Sequence, residues 1–171
     1  MNVNDLLIGV RGELPALPNE ENPFLSTDAL VGAQITRILV DVLGGTVGVL
    51  LELGQSTRLR GTTALLRVTG VVQQNWRSTP TANEFTAWSI SGLTVQQREN
   101  EFHVVIDCFP VGALLVVGAA ADFTLLHTAA PAVAPPDDHF DPRALIRFGI
   151  ADESTEVDPI GSARSAGSCC C

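Results

Sequence analysis

The chain has 171 residues, a net charge of −9 and a hydrophobic fraction of 46%. That fraction is enough for a packed core, which excludes a chain that is disordered throughout. All of the basic residues are arginines, and an acidic chain with scattered arginines repels phosphate backbones, so we expect no nucleic-acid partner.

The cysteines and the apolar stretches indicate a cytoplasmic protein. Cys108 lies in an apolar run and the other three cysteines share the last positions of the chain, whereas a disulfide-stapled secreted fold spreads its cysteines along the sequence. The first residues lack the positively charged start and the long apolar stretch of a signal peptide. The longest apolar zone, residues 109–134, is interrupted by Asp122 and His127, so we expect strands there and no membrane span.

Residues 1–32 predict an irregular N-terminal lead-in. Pro15, Pro18 and Pro23 lie among acidic and polar residues, a composition typical of loops. A β domain is predicted to follow at residues 33–127.

The first element of that domain is a predicted hairpin in "ITRILVDVLGGTVGVLLEL". The glycine pair at 44–45 tolerates positive φ and is typical of a two-residue hairpin turn. That turn places Val42 opposite Val47 and Arg37 opposite Glu52. One register then yields an apolar face and an opposite-charge pair, and a slip by one residue would lose both.

Further short strands follow with alternating apolar residues. The side chains predicted to point inward are Ala64, Leu66 and Val68, then Trp88 and Ile90, then Phe102, Val104, Ile106 and Cys108. The stretches "ALLVVG" and "DFTLLHT" are separated by a short turn and predict a second hairpin. Six to seven short strands with little helical periodicity predict an all-β fold, an antiparallel sandwich or a curled barrel.

The remaining residues predict extended segments. Residues 128–150 are rich in proline and form a predicted connector with one short element. Residues 151–171 are predicted to be a flexible tail that ends in three cysteines. From Gly161 onward this tail offers almost no apolar area to offset the entropy of ordering it, so we expect it to pack against nothing.

The strand pattern of residues 33–127, from "ITRILVDVLGGTVGVLLELG" to "FHVVIDCFPVGALLVVGAAADFTLL", resembles a group of uncharacterised β-rich actinobacterial proteins. That group in turn resembles small bacterial immunity proteins of toxin–immunity systems. The resemblance implies a β-rich fold that binds a protein partner, and it assigns a role to no individual residue.

The sequence carries no catalytic signature, so we predict that the protein is not an enzyme and needs no cofactor. Its histidines, His103, His127 and His139, lie in no metalloprotease-type pattern, and no nucleophile-elbow or phosphate-binding glycine motif is present. Cys108 is either a nucleophile with His103 or His127 beside it in the fold, or a small buried hydrophobic residue. The second interpretation is favoured because an apolar site raises the pKa of a thiol.

The stretch "DDHFD" is a candidate metal site. Asp137, Asp138, His139 and Asp141 offer oxygen and imidazole ligands for a divalent ion. The competing interpretation is a solvated acidic loop, which is favoured because ordering a flexible loop around an ion costs conformational entropy.

The last residues, "SARSAGSCCC", suggest thiol chemistry outside the fold. Cys169, Cys170 and Cys171 can bind a soft metal such as Cu(I), or they can be substrates of a modifying enzyme together with Ser162, Ser165 and Ser168. The segment resembles the core of a ribosomally made, modified peptide. A neutral C-terminal extension is the third interpretation.

Two functions from different classes follow from these patterns. The leading prediction is a non-enzymatic protein-binding domain, immunity-like, that meets a protein partner with a sheet face or edge. The alternative is a precursor or carrier protein whose Ser/Cys tail is enzymatically modified or binds a soft metal.

Overall fold

The computed structural model describes residues 1–10, 12–79, 87–129 and 147–165. Within these residues the named elements have the following bounds: α1 Val3–Leu7, β1 Gln34–Asp41, β2 Thr46–Glu52, β3 Thr63–Thr69, β4 Gln73–Ser78, β5 Trp88–Arg98, β6 Glu101–Phe109, β7 Gly112–Gly118, β8 Ala120–Thr128 and β9 Val157–Arg164.

All of the described strands belong to one antiparallel sheet in the order β4-β7-β6-β5-β1-β2-β3-β8-β9. The all-β antiparallel prediction is therefore confirmed. The finer prediction is corrected in two respects, because the sheet has nine strands rather than six or seven and is one open sheet rather than a sandwich of two. The sheet has two parts, β4-β7-β6-β5 and β1-β2-β3-β8-β9. They are joined at a narrow seam, where β1 and β5 pair only through Gln34 with Ser89 and Ile35 with Trp88.

The predicted hairpin between β7 and β8 is wrong. β7 pairs with β4 and β6, whereas β8 pairs with β3 and β9. Thr69 at the end of β3 pairs with Ala120 of β8, and Gln73 at the start of β4 pairs with Val117 of β7. The chain through β3 and β4 therefore runs beside the chain through β7 and β8, and both bend at the same corner. Gly70 turns this corner with a φ of 61°, a conformation that glycine adopts without steric cost.

The main core lies between the two parts of the sheet. Its buried cluster takes Val49 and Leu66 from one part and Ile106 and Leu114 from the other. The inward positions predicted from alternation on β3, β5 and β6 belong to this cluster or pack against it, except Phe102, which is buried at 6% exposure but lies outside the cluster. Alternation succeeded there because one face of each strand is buried and the side-chain period of a strand is two.

The predicted register of the β1–β2 hairpin is also wrong. Val40, rather than Val42, pairs with Val47, and Arg37 pairs with Leu50 instead of Glu52. Four residues rather than two form the turn, since the last pair before it is Asp41 with Thr46. A shift of two residues leaves the paired strand residues on their predicted faces, which is why the apolar pattern alone did not reveal the error. Val42 is the exception, since it lies in the turn and is 84% exposed.

The N-terminal lead-in contains the helix α1 rather than loop alone. Asn2 and Asp5 form a reciprocal capping box that satisfies free N–H groups at the start of the helix. Val3 and Leu6 of this helix pack with Leu50 and Leu65 on the outer face of β2 and β3. The helix therefore covers the side of this part of the sheet that faces away from the main core.

The tail prediction is wrong for the described residues up to 165, because residues 157–164 form β9. Gly161 pairs with Leu125 of β8, and the N–H of Ser162 donates to the carbonyl of Pro15 at 2.9 Å. The entropy argument failed because backbone hydrogen bonds and burial of Ala163, which is 7% exposed, stabilise a segment that has few large side chains. Most of the predicted connector, residues 130–146, lies outside the described residues.

Within the described part of the chain, no helix is long and apolar enough to span a membrane.

Candidate functional site

One face of the strands β4, β7, β6 and β5 points away from the core. Alternation along each strand separates the core side chains, such as Trp76, Leu114 and Ile106, from those on this opposite face. We call it the open face, and it consists of Asn75 and Arg77 on β4, Ala113 and Leu115 on β7, His103, Val105, Asp107 and Phe109 on β6, and Thr94 on β5.

The open face differs from the corresponding face of the other part of the sheet. There, α1 and residues such as Val157 cover Leu50 and Leu65, which are buried. On the open face Arg77, Thr94, Asp107 and Phe109 are exposed, and the remaining members are half-buried. The residue types on the open face are therefore presented at the molecular surface.

The middle of the open face is apolar. Val105 pairs with Leu115 across β6 and β7, and Thr94 and Asn75 flank this pair on the outer strands. At one end of the face, Phe109 is 72% exposed and Val111 in the following turn is 69% exposed. Large exposed side chains next to a half-buried apolar centre are typical of an interaction surface rather than of a solvated sheet face.

Two opposite charges lie in one row across the face. Asp107 pairs with Ala113, and Ala113 pairs with Arg77 on the next strand. Adjacent strands are about 4.8 Å apart, so the two charged positions are separated by about 10 Å with a methyl group between them.

A hollow of about 420 Å³ lies at the same end of the face. Arg77, Asp107 and Val111 are among the residues that line it, together with Pro110 and Cys108. The hollow therefore combines one positive charge, one negative charge and apolar walls, which suits a protruding side chain of a protein partner.

Cys108 is buried, as the alternation predicted, with 6% of its surface exposed. Burial, and to a lesser degree the neighbouring charge of Asp107, raises the pKa of its thiol to about 11. Since the thiolate is the reactive form, this cysteine is a weak nucleophile at neutral pH. His103 points to the opposite side of the same strand, so the alternative that pairs Cys108 with His103 is wrong. His127 lies on β8, where it is exposed and pairs with Asp158 of β9.

The serines proposed as modification sites divide into two groups. Ser162 lies within β9 opposite Thr124. The hydroxyl of Ser165 donates to the carbonyl of Ala121 at 2.9 Å and accepts from its N–H at 3.0 Å. Both serines therefore belong to the fold, with their backbones held in place by hydrogen bonds to neighbouring segments.

The remaining candidate residues lie outside the described residues. They are Ser168, Cys169, Cys170 and Cys171 of the tail and Asp137, Asp138, His139 and Asp141 of the connector. Among the residues that the structure does describe, no group of three or more His, Cys, Asp or Glu side chains is arranged to hold a metal ion.

A second hollow, of about 660 Å³, lies where residues 12–17 run beside β9. Ala16 bridges to Ser162, and Leu17 donates its N–H to the carbonyl of Ser162 at 3.0 Å. The N-terminal segment thus pairs with β9, which otherwise would be an edge strand open to other chains.

Sequence reasoning missed the open face as a unit. It placed His103, Val105 and Asp107 on the outward side of their strand, but Arg77 joins them only because β4 pairs with β7, which lies far along the chain. A search with models of known protein families found no match, and a search of curated protein sequences also found none.

Proposed function

We propose that this protein is a non-enzymatic protein-binding domain that holds its partner on the open face. The observation that carries the proposal is the half-buried apolar pair of Val105 and Leu115 on the outward face of the sheet, with charged and polar side chains around it. Specific interfaces have this arrangement, a desolvated centre with aromatic or aliphatic anchors inside a polar rim. Phe109, at 72% exposure, is the side chain best suited to anchor a partner.

The finer form of the proposal is an immunity-like role in the cytoplasm. The resemblance of the strand pattern in residues 33–127 to immunity proteins supports it, since such proteins act by binding another protein. The raised pKa of Cys108 is consistent with a non-catalytic role, because it removes the reactive form of the one described thiol at neutral pH.

A photo-crosslinking experiment tests the proposal. A photoreactive amino acid replaces Ala113 in the middle of the open face, and in a matched variant it replaces Gln55, an exposed polar residue in the β2–β3 connection. Both variants are expressed in cells of the natural host, irradiated, and analysed by mass spectrometry. We expect protein adducts from position 113 and not from position 55.

The result that would contradict the proposal is equally specific. If position 113 yields no protein adduct, or yields the same adducts as position 55, the open face is not a binding surface. Thermal melts of both variants show that each is folded before the comparison is made.

The second candidate is a precursor or carrier whose terminal cysteines are modified or bind a soft metal. Ser165 is held to Ala121 by hydrogen bonds through both its backbone and its hydroxyl. The candidate site of modification or metal binding is therefore the six residues that follow Ser165, which contain Ser168 and the three terminal cysteines.

Intact-mass analysis of the protein purified from its natural host tests this second candidate. Dehydration of a serine or cyclisation of a cysteine to a thiazoline lowers the mass by about 18 Da for each event, and a bound soft metal raises the mass under native conditions. An unmodified mass in both denaturing and native spectra would rule out a modified or metal-loaded tail in those cells.

A further inference from the structure

The open face is self-complementary in charge. Asp107, Ala113 and Arg77 follow one another across β6, β7 and β4. Consider two copies packed face to face, related by a twofold axis that lies between them and runs parallel to β7. Residues that pair across β6, β7 and β4 form one row. The axis places each β6 residue opposite the β4 residue of the same row in the second copy. Asp107 then faces Arg77 of the second copy, and Arg77 faces Asp107 of the second copy.

We propose that the partner of the open face is a second copy of this chain, packed face to face about an axis along β7. This inference rests on the proposed function, because it names the partner that occupies the same face. Leu115 lies on the axis and packs against Leu115 of the second copy. Val105 lies opposite Asn75, so the apolar centre is buried without a charged side chain above it.

The two rows of open-face residues that cross β6, β7 and β4 bring no two like charges together. In the next row His103 pairs with Val117 and Val117 pairs with Gln73. This row lies at the margin of the contact, because Val117 is already buried within the chain at 3% exposure.

The favourable charges between two copies are confined to the row from Asp107 to Arg77. Each chain carries a net charge of −9, so two copies repel one another over most of their surfaces. The row from Asp107 to Arg77 has no net charge, and the symmetry axis turns its two charges into two ion pairs. A foreign partner would need a matching row of opposite charges, whereas a second copy carries it by symmetry.

The test is a charge exchange followed by sedimentation of the full chain over a concentration series. A reducing agent is present throughout, so that the terminal cysteines cannot join two copies. We expect the mass of the natural protein to rise toward that of a dimer with concentration. Arg77→Asp and Asp107→Arg, each alone, are expected to lower the association constant at least tenfold, because like charges then face one another.

Mixing the two variants is the decisive step. In an equimolar mixture, the two aspartates of one variant face the two arginines of the other, so we expect a heterodimer at least as tight as the natural dimer. Arg58→Asp is the matched control, since it makes the same change in charge on an exposed residue of the β2–β3 connection. It is expected to leave the association constant within about twofold of the natural value.

Ala113→Glu tests the same contact without relying on the folding of the two charge-exchange variants. Ala113→Glu sets two carboxylates against each other on the axis, and it is expected to give a folded monomer by circular dichroism and sedimentation. The inference is overturned if the natural chain stays monomeric up to its solubility limit. It is also overturned if the mixture associates no better than either variant alone.

These outcomes are separable from those of the proposed function. Adducts from position 113 that contain only other proteins, together with a monomeric natural chain, would overturn the second-copy inference and leave a protein-binding face. No adducts and a monomeric chain would overturn both.

Discussion

Arg67 on β3 and Asp122 on β8 lie directly opposite each other and form a cross-strand ion pair, with Nη2 of Arg67 2.9 Å from Oδ2 of Asp122. Both side chains are only 12% exposed. Arg67 also donates from Nη1 to the carbonyl of Leu6 at 3.1 Å. One guanidinium therefore connects two neighbouring strands to the helix α1.

Replacing Arg67 with methionine is expected to destabilise the fold by about 3 kcal/mol, because it removes the ion-pair partner of a largely buried carboxylate and one of the two donors to the carbonyl of Leu6. Chemical unfolding measures the free energy. The control is Arg58→Met, since Arg58 forms an exposed pair with Asp28 at 3.7 Å, and such pairs contribute about 0–1 kcal/mol. If Arg67→Met and Arg58→Met lower the free energy of unfolding equally, the Arg67 ion pair contributes no more to stability than an exposed pair.

Cys108 is expected to react slowly with thiol reagents in the folded protein. Burial raises the pKa of this thiol to about 11, so its thiolate fraction grows about tenfold with each unit of pH up to that value. The measurement is the labelling rate from pH 7 to 11 in a variant with serine at positions 169–171. A rate that levels off near pH 9, the ordinary thiol pKa, would contradict this environment.

Truncation after Ile160 is expected to lower the melting temperature by well over 4 °C or to prevent folding. It removes the second half of β9, including Ala163, which is 7% exposed, and Ser162, which bonds to the N-terminal segment. In a chain of this length about 1 kcal/mol corresponds to about 2–4 °C. Truncation after Ser165 is the matched control and is expected to change the melting temperature by less than that. If truncation after Ile160 lowers the melting temperature by less than about 4 °C, β9 contributes little to the fold.

Gly118→Ala is expected to cost about 1–3 kcal/mol because the corner between β3 and β7 has no room for a methyl group. A Cβ at this position would lie 2.7 Å from the carbonyl oxygen of Thr69 and 2.6 Å from Cγ1 of Val68. Gly92→Ala is the control, since a Cβ there would meet nothing within 4 Å. Thermal unfolding of the two variants compares them directly, and equal melting temperatures would show that the corner can relax.

The sequence alone determined the class of fold and the side of each central strand that is buried. On β6, Phe102, Val104, Ile106 and Cys108 are all buried and alternate with residues that are half-buried or exposed. Alternation is a local property, because neighbouring side chains of a strand point to opposite faces whatever that strand pairs with. For the same reason the outward positions of His103 and Asp107 were predictable.

Only the tertiary structure decided which strands pair and in what register. Val40 pairs with Val47 rather than with Val49, a shift of two residues that leaves the pattern of buried faces unchanged. β9 contains Pro159 and Gly161 and has no strong strand pattern, yet it forms because the edge of β8 offers it backbone hydrogen bonds. Arg77 and Asp107 likewise share a row only through the pairing of β4 with β7, a contact between distant parts of the chain that no local pattern encodes.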